Sequence, residues 1–169
     1  MDTLSSRVHS DFNHARFQAL LSRIWNILLG QPTELLSFDE IKSRLRIGGS
    51  VYRGIKTIKL EQIVGSLNRH HEFDRAFRPF RSVSPERWGS VNRAFYEGIG
   101  LPAIVLYKVG EVYFVVDGHH RVSVVRKQGQ VFIDADVSEF NTGVKVTTNV
   151  KMKDLELLCA NLICQIFMA

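Results

Sequence analysis

Cysteine is scarce in this sequence, and the two present, Cys159 and Cys164, fall in one apolar stretch near the C-terminus. Two thiols five apart on one predicted helix make no disulfide framework, so packing is their plain role and the cytoplasm is the expected compartment. Long hydrophobic runs are missing too. Nothing approaches the roughly 18 apolar residues of a membrane span, and Met1 to Ser6 has neither the basic start nor the apolar stretch of a signal peptide. No P-loop or Rossmann glycine fingerprint occurs. No G-x-S-x-G elbow surrounds Ser123, which excludes the usual hydrolase nucleophile. Repeats and low-complexity segments are absent. What is there is ordinary for a globular chain: 169 residues, 45% apolar and 23% charged. That length fits one compact domain with appendages. The net charge of +5 and a pI near 9.4 favour anionic partners.

Ser10 or Asp11 can cap a first helix, with Phe17, Leu20, Leu21, Ile24 and Leu28 at helical spacing and a stop at Gly30 and Pro32. Ser37-Phe38-Asp39-Glu40 has the form of a capping box and starts a second, short helix ended by Gly48-Gly49. Residues 1–50 therefore read as a helical extension that packs on a core or on a partner. A short strand carries Ile55, Ile58 and Leu60, and Glu61 to Val64 reads as a turn. The polar stretch from Gly65 to Arg75 reads as a functional loop, too charged for a core strand. Ser84-Pro85-Glu86 opens a helix with Trp88, Val91 and Phe95 on its buried face. Two β-rich runs, Ala103 to Lys108 and Glu111 to Val116, form a hairpin. A helix led by Val122, Val124 and Val125 and a strand from Val131 to Val137 follow, with a hint of one more strand at Val144, Val146 and Thr148. Residues 141–169 end in an apolar helix from about Met152, bearing Leu155, Leu158, Cys159, Leu162, Ile163, Ile166 and Phe167. Such a helix is buried, either in its own core or in a homodimer formed through the terminal helices. The expected fold is α+β: a small mixed sheet with packed helices over residues 51–140, flanked by the N-terminal extension and the C-terminal strand and helix.

The chemistry concentrates in Asp117-Gly118-His119-His120-Arg121, between the apolar run Tyr113 to Val116 and the apolar helix after it. Read as strand, turn and helix, this segment delivers Asp117 to the sheet's edge, and Gly118 lets a ligand approach the backbone. The amides from His119 to Arg121 are the unpaired donors of a helix start, which favours an anion. Arg121, His119 and His120 add further donors, and Asp117 could hold a magnesium ion. The bland alternative is that Asp117 caps the helix and Arg121 pairs with it on the surface. Arginine is dense between Arg69 and Arg93 (Arg69, Arg75, Arg78, Arg81, Arg87, Arg93), as either phosphate forks, Arg75 among them, or a solvated basic face. The pairs His70-His71 and His119-His120 beside Asp74 and Asp117 also invite a metal reading, but no ligand spacing fixes one.

At these residues the sequence resembles the ParB/sulfiredoxin superfamily, over roughly Gly54 to Glu139. The resemblance implies a nucleotide, ATP, ADP or CTP, with phosphates over the motif. His119 stands where sulfiredoxins carry their catalytic cysteine, which excludes sulfinic-acid reduction. Residues 140–169 are fewer than the helix-turn-helix of chromosome-partitioning relatives needs, so sequence-specific DNA binding is not expected from them. The motif is most similar to that of free-serine kinases, whose catalytic glutamate lies in the loop after the first strand. Glu72 occupies the matching loop, with Glu61 in reserve. The resemblance thus implies phosphoryl transfer or nucleotide hydrolysis, with Glu72 as base and His120 and Asp117 assisting. The alternative is a non-catalytic ParB-like regulator that binds nucleic acid.

Overall fold

The computed structural model describes residues 3–29, 33–142 and 146–148. The elements are α1 (Thr3–Leu28), β1 (Leu36–Ser37), α2 (Phe38–Arg44), β2 (Ser50–Lys59), a 3-10 turn (Leu60–Gln62), β3 (Ile63–Ser66), α3 (Pro85–Tyr96), β4 (Ile104–Val109), β5 (Val112–Asp117), α4 (His119–Lys127) and β6 (Phe132–Phe140). The strands form one six-stranded mixed sheet in the order β1-β3-β5-β4-β6-β2. The chain is thus the small α+β fold that the pattern predicts. Among the described residues no helix is long and apolar enough to cross a membrane.

Alternation along the strands feeds two apolar layers, because successive side chains point to opposite faces. Ile63, Tyr113, Val115, Leu106, Ala135 and Val137 face α3 and α4 together with Trp88, Phe73 and Val122. Val64, Val112, Phe114, Val109 and Phe140 face α2, where Phe38 and Ile41 are buried. The N-terminal segment is thereby tied into the sheet: β1 pairs in parallel with β3 at Leu36↔Gly65.

Five expectations need correction. Ile63 and Val64 do not belong to a turn: Ile63–Ser66 is a strand between β1 and β5, buried throughout. A four-residue strand covered on both faces shows no alternation to read. The first helix starts at Thr3 rather than at Ser10 or Asp11, and Asp11 instead accepts from Tyr96 Oη (2.6 Å) and Asn92 Nδ2 (3.1 Å). Its buried face is Val8, Phe12, Ala15 and Ala19, whereas Phe17, Leu20, Leu21, Ile24 and Leu28 are exposed. Phe12 meets Trp88 of α3 with ring centroids 5.4 Å apart, and the two alanines leave room for close helix packing. Finally, α2 ends at Arg44, short of Gly48-Gly49, and Val131 is exposed just before β6. The predicted C-terminal helix, Cys159, Cys164 and Val144 lie outside the described residues. Val146 is buried and its carbonyl accepts from Glu111 N–H (2.9 Å).

Candidate functional site

Parallel pairing of β3 and β5, with Ser66 opposite Val115, brings the ends of both strands to one edge of the sheet. The loop after β3 and the turn after β5 leave that edge side by side, the position at which open sheets holding parallel strands bind ligands. Gly118 is the N-cap of α4 at φ 101°, a left-handed backbone. It brings no capping side chain, and the first amide bonded into the helix is Val122 N–H on the Gly118 carbonyl (3.0 Å). The amides of His119, His120 and Arg121 precede that bond and face outward as donors.

The loop holding Glu72 reaches this helix start. Ser66 Oγ accepts from Arg69 N–H (2.9 Å) and lies 2.7 Å from His119 Nε2. The hydroxyl thus joins the backbone of the loop to the His119 ring through two hydrogen bonds. Phe73, fully buried, stacks on His119 at 6.1 Å and meets His120 edge-on at 5.8 Å. Arg69 Nη1 donates to Glu72 Oε2 (3.2 Å) and lies 3.5 Å from His120 Nε2. An arginine can only donate, so Nε2 of His120 is the accepting nitrogen and Nδ1 carries the proton. That Nδ1 is buried and has no hydrogen-bond partner.

Burial, reinforced by the positive charge of Arg69, lowers the pKa of both histidines to about 4. Both are therefore neutral at pH 7. An unfolded histidine takes a proton below about pH 6.5, while the folded rings resist until about pH 4. The resulting stability is full above pH 6.5 and is lost as the pH falls toward 4. For His119 alone the difference is worth about 3 kcal/mol at 1.36 kcal/mol per pH unit. The urea midpoint should thus drop steadily from pH 7 to pH 4, and His119→Gln should flatten the curve. Equal slopes in the two proteins would exclude His119 as the source.

The helix start opens into a cavity of about 350 Å³ lined by Asn68, Arg69, Arg87, Asp117, Gly118, His119, His120 and Arg121. Arg121 is largely committed: Nη1 donates to the carbonyls of Pro102 and Ala103 (2.7 Å each) and Nη2 to Asp117 Oδ2 (2.5 Å). It therefore ties the end of β5 to the entry of β4. Asp117 is well exposed. Arg75 does not line the cavity. Its amide donates to Thr33 and its Nη2 to Thr148 O (3.1 Å), and burial lowers its pKa. Glu61 sits before β3, at the other end of that strand, beside Lys59. Asp74 is spent on the amides of Ala76 and Arg78 and on Arg78 Nε. Among the described residues no group of three His, Cys, Asp or Glu stands ready for a metal ion.

Asn68 and Phe73 escaped sequence reasoning as site residues, and Arg69 and Arg87 stood out only as members of an arginine-dense stretch. The signal for Arg87 was its place just after the Ser84 cap of α3, to which its own amide donates (3.3 Å). Comparison with protein families, with curated proteins and with solved structures finds no match to this chain.

Proposed function

We propose that the cavity at the start of α4 holds the phosphates of a nucleotide (ATP, ADP or CTP) and that the protein transfers or hydrolyses its terminal phosphoryl group. The observation that carries this reading is the convergence of donors on one cavity. Three helix-start amides, the His120 ring and the cations Arg69 and Arg87 border a space of about 350 Å³, with Asp117 among its lining. Such a set suits an anion with several oxygens, and the positive end of the helix adds to it. The sequence resemblance to the free-serine kinases supports the same assignment. Arg69 is held by Glu72 (3.2 Å). A phosphate drawing Arg69 toward itself would release that carboxylate, which could then take the proton of an attacking hydroxyl or water. The remaining donors would stabilise charge on the phosphoryl oxygens. Magnesium fits as a nucleotide-borne ion: among the described residues Asp117 is the one carboxylate lining the cavity, and magnesium commonly binds one or two carboxylates plus phosphates.

Arg69→Ala tests the assignment. A charge-assisted hydrogen bond is worth about 1.5–3 kcal/mol, so nucleotide affinity measured by calorimetry should fall roughly 10- to 150-fold. Unchanged affinity would remove Arg69 from the site.

A second reading, the non-catalytic nucleic-acid regulator, is favoured by another feature. An open groove of about 770 Å³ between α1 and residues 79–82 is lined by Arg16, Arg23, Arg81 and His71. On that reading duplex affinity falls steeply with salt, and Arg16→Ala with Arg23→Ala lowers the salt slope by about two. Binding that ignores salt would reject it.

A further inference from the structure

Helix α1 is apolar on two sides, and α3 packs on only one of them. Val8, Phe12, Ala15 and Ala19 are buried, while Phe17, Leu21, Ile24 and Leu28 lie on the opposite side at exposures from 43% to 72%. Leu20, Trp25 and Ile27 flank this stripe and are more than half exposed. From Phe17 to Leu29 the sequence holds one charge, Arg23. That residue and Arg16 sit roughly a third of a turn off the stripe, on the side that lines the groove with Arg81. A helix face that meets only water carries charged and polar residues. An uncharged apolar stripe of this extent marks an interaction surface.

The pattern of the stripe points to a second copy of this chain. Its four residues step by four, three and four, a spacing that reads the same from either end. An antiparallel copy therefore presents the same pattern in register. Phe17 meets Leu28 and Leu21 meets Ile24, each twice, about a two-fold axis between Leu21 and Ile24. The same operation sets Leu20 against Trp25. Such self-complementarity is what a two-fold homodimer requires of its interface, and steps of this kind form the seam of paired helices.

The area also suffices. Seven large apolar side chains stand on the stripe and its flanks, and six of them are at least half exposed. A fully exposed side chain of this size presents about 200 Å². The set thus offers on the order of 800 Å² per copy, the share of each partner in a standard stable interface. Homodimer interfaces are the more apolar class, in keeping with a seam that holds no charge.

We infer that α1 is a dimerisation helix, and that two copies of the chain pack antiparallel along Phe17, Leu21, Ile24 and Leu28. The side of α1 that bears Arg16 and Arg23 stays outside the seam. This inference is independent of what the cavity at α4 binds.

Sedimentation equilibrium of the full chain should show a dimer at micromolar concentration. Leu21→Asp with Ile24→Asp, both at exposed positions, should keep the helical circular dichroism and raise the dimer Kd at least about 100-fold, because four carboxylates would face one another in an apolar seam. Ile55→Asp, at an exposed apolar position of β2, should leave the dimer intact. A monomeric wild type, a dimer that survives the two α1 substitutions, or one that Ile55→Asp breaks would overturn the proposal. Oxidation reads the orientation. Cys159→Ser and Cys164→Ser remove the only native thiols. In that background, Leu21→Cys protein mixed with Ile24→Cys protein should give mainly mixed disulfides, since facing positions lie within the Cα separation of about 7 Å that a disulfide tolerates. The linked tryptic peptides, which Arg23 separates, identify them. An excess of like-with-like disulfides would mean parallel pairing and would also overturn it.

Discussion

Glu72→Gln should lower phosphoryl transfer or nucleotide hydrolysis by about 10²–10⁴-fold, the usual worth of a positioned general base. Nucleotide affinity should stay close to the wild-type value or rise slightly. The two effects separate because a base acts on the acceptor's proton in the transition state, whereas in the proposed site Arg69, Arg87 and the helix-start amides would hold the phosphates in the ground state. The substitution keeps the size of the side chain and its hydrogen bond to Arg69 (3.2 Å in the native protein) while removing the charge. Arg69 is then held less tightly and meets the phosphate at lower cost. Single-turnover assays beside calorimetry read both quantities. Unchanged turnover would exclude Glu72 as the base, and a parallel loss of affinity would reassign it to holding Arg69.

Gly118→Ala should cost about 3 kcal/mol or more, roughly a 10 °C fall in melting temperature for a domain of this size. Two penalties add. The backbone sits at φ 101°, where an L-residue is strained by at least about 1–2 kcal/mol. A Cβ built there would also lie 2.4 Å from Ile104 Cγ2, 2.9 Å from Ile104 Cβ and 3.2 Å from Arg121 Cζ. Crowding of that kind typically adds about 1–3 kcal/mol. The glycine is needed because β4 and the Arg121 guanidinium fill the space beside it, a reason the sequence could not supply. It suggested an opening for a ligand instead. Ile104→Ala in the same chain should relieve the clash with Cγ2 only, so the cost of Gly118→Ala should be smaller in the Ile104→Ala background, whose own cavity cost of about 2–5 kcal/mol is read from that single variant. Thermal unfolding of the single and double variants checks this, and a wild-type melting temperature for Gly118→Ala would refute it.

The strand, turn and helix around Asp117 were legible because local signals agree there. An apolar strand, a glycine and a valine-led helix enclose a polar cluster, and β5, Gly118 and α4 fall where that pattern puts them. Burial on α1 was not legible, since the more conspicuous stripe of Phe17, Leu21, Ile24 and Leu28 outshines a working face built on two alanines. β3 was hidden for a different reason: a strand covered on both faces carries no period. The roles of the arginines depend on distance in space. Arg121, in the first turn of α4, lies four residues from Asp117, the last residue of β5, and that pairing draws its guanidinium toward Asp117 and the β4 entry. Arg69 reaches His120 across 51 positions of sequence, which no local pattern encodes.

Amide resonances followed while nucleotide and magnesium are added give the most direct test of the phosphate site. ATP, ADP or CTP should shift the backbone amides of His119, His120 and Arg121 first and furthest, together with the Arg69 and Arg87 side-chain signals, in a saturable titration that inorganic phosphate competes away. Shifts confined to the groove of Arg16, Arg23 and Arg81, or no shift at α4 with any of the three nucleotides, would contradict the account.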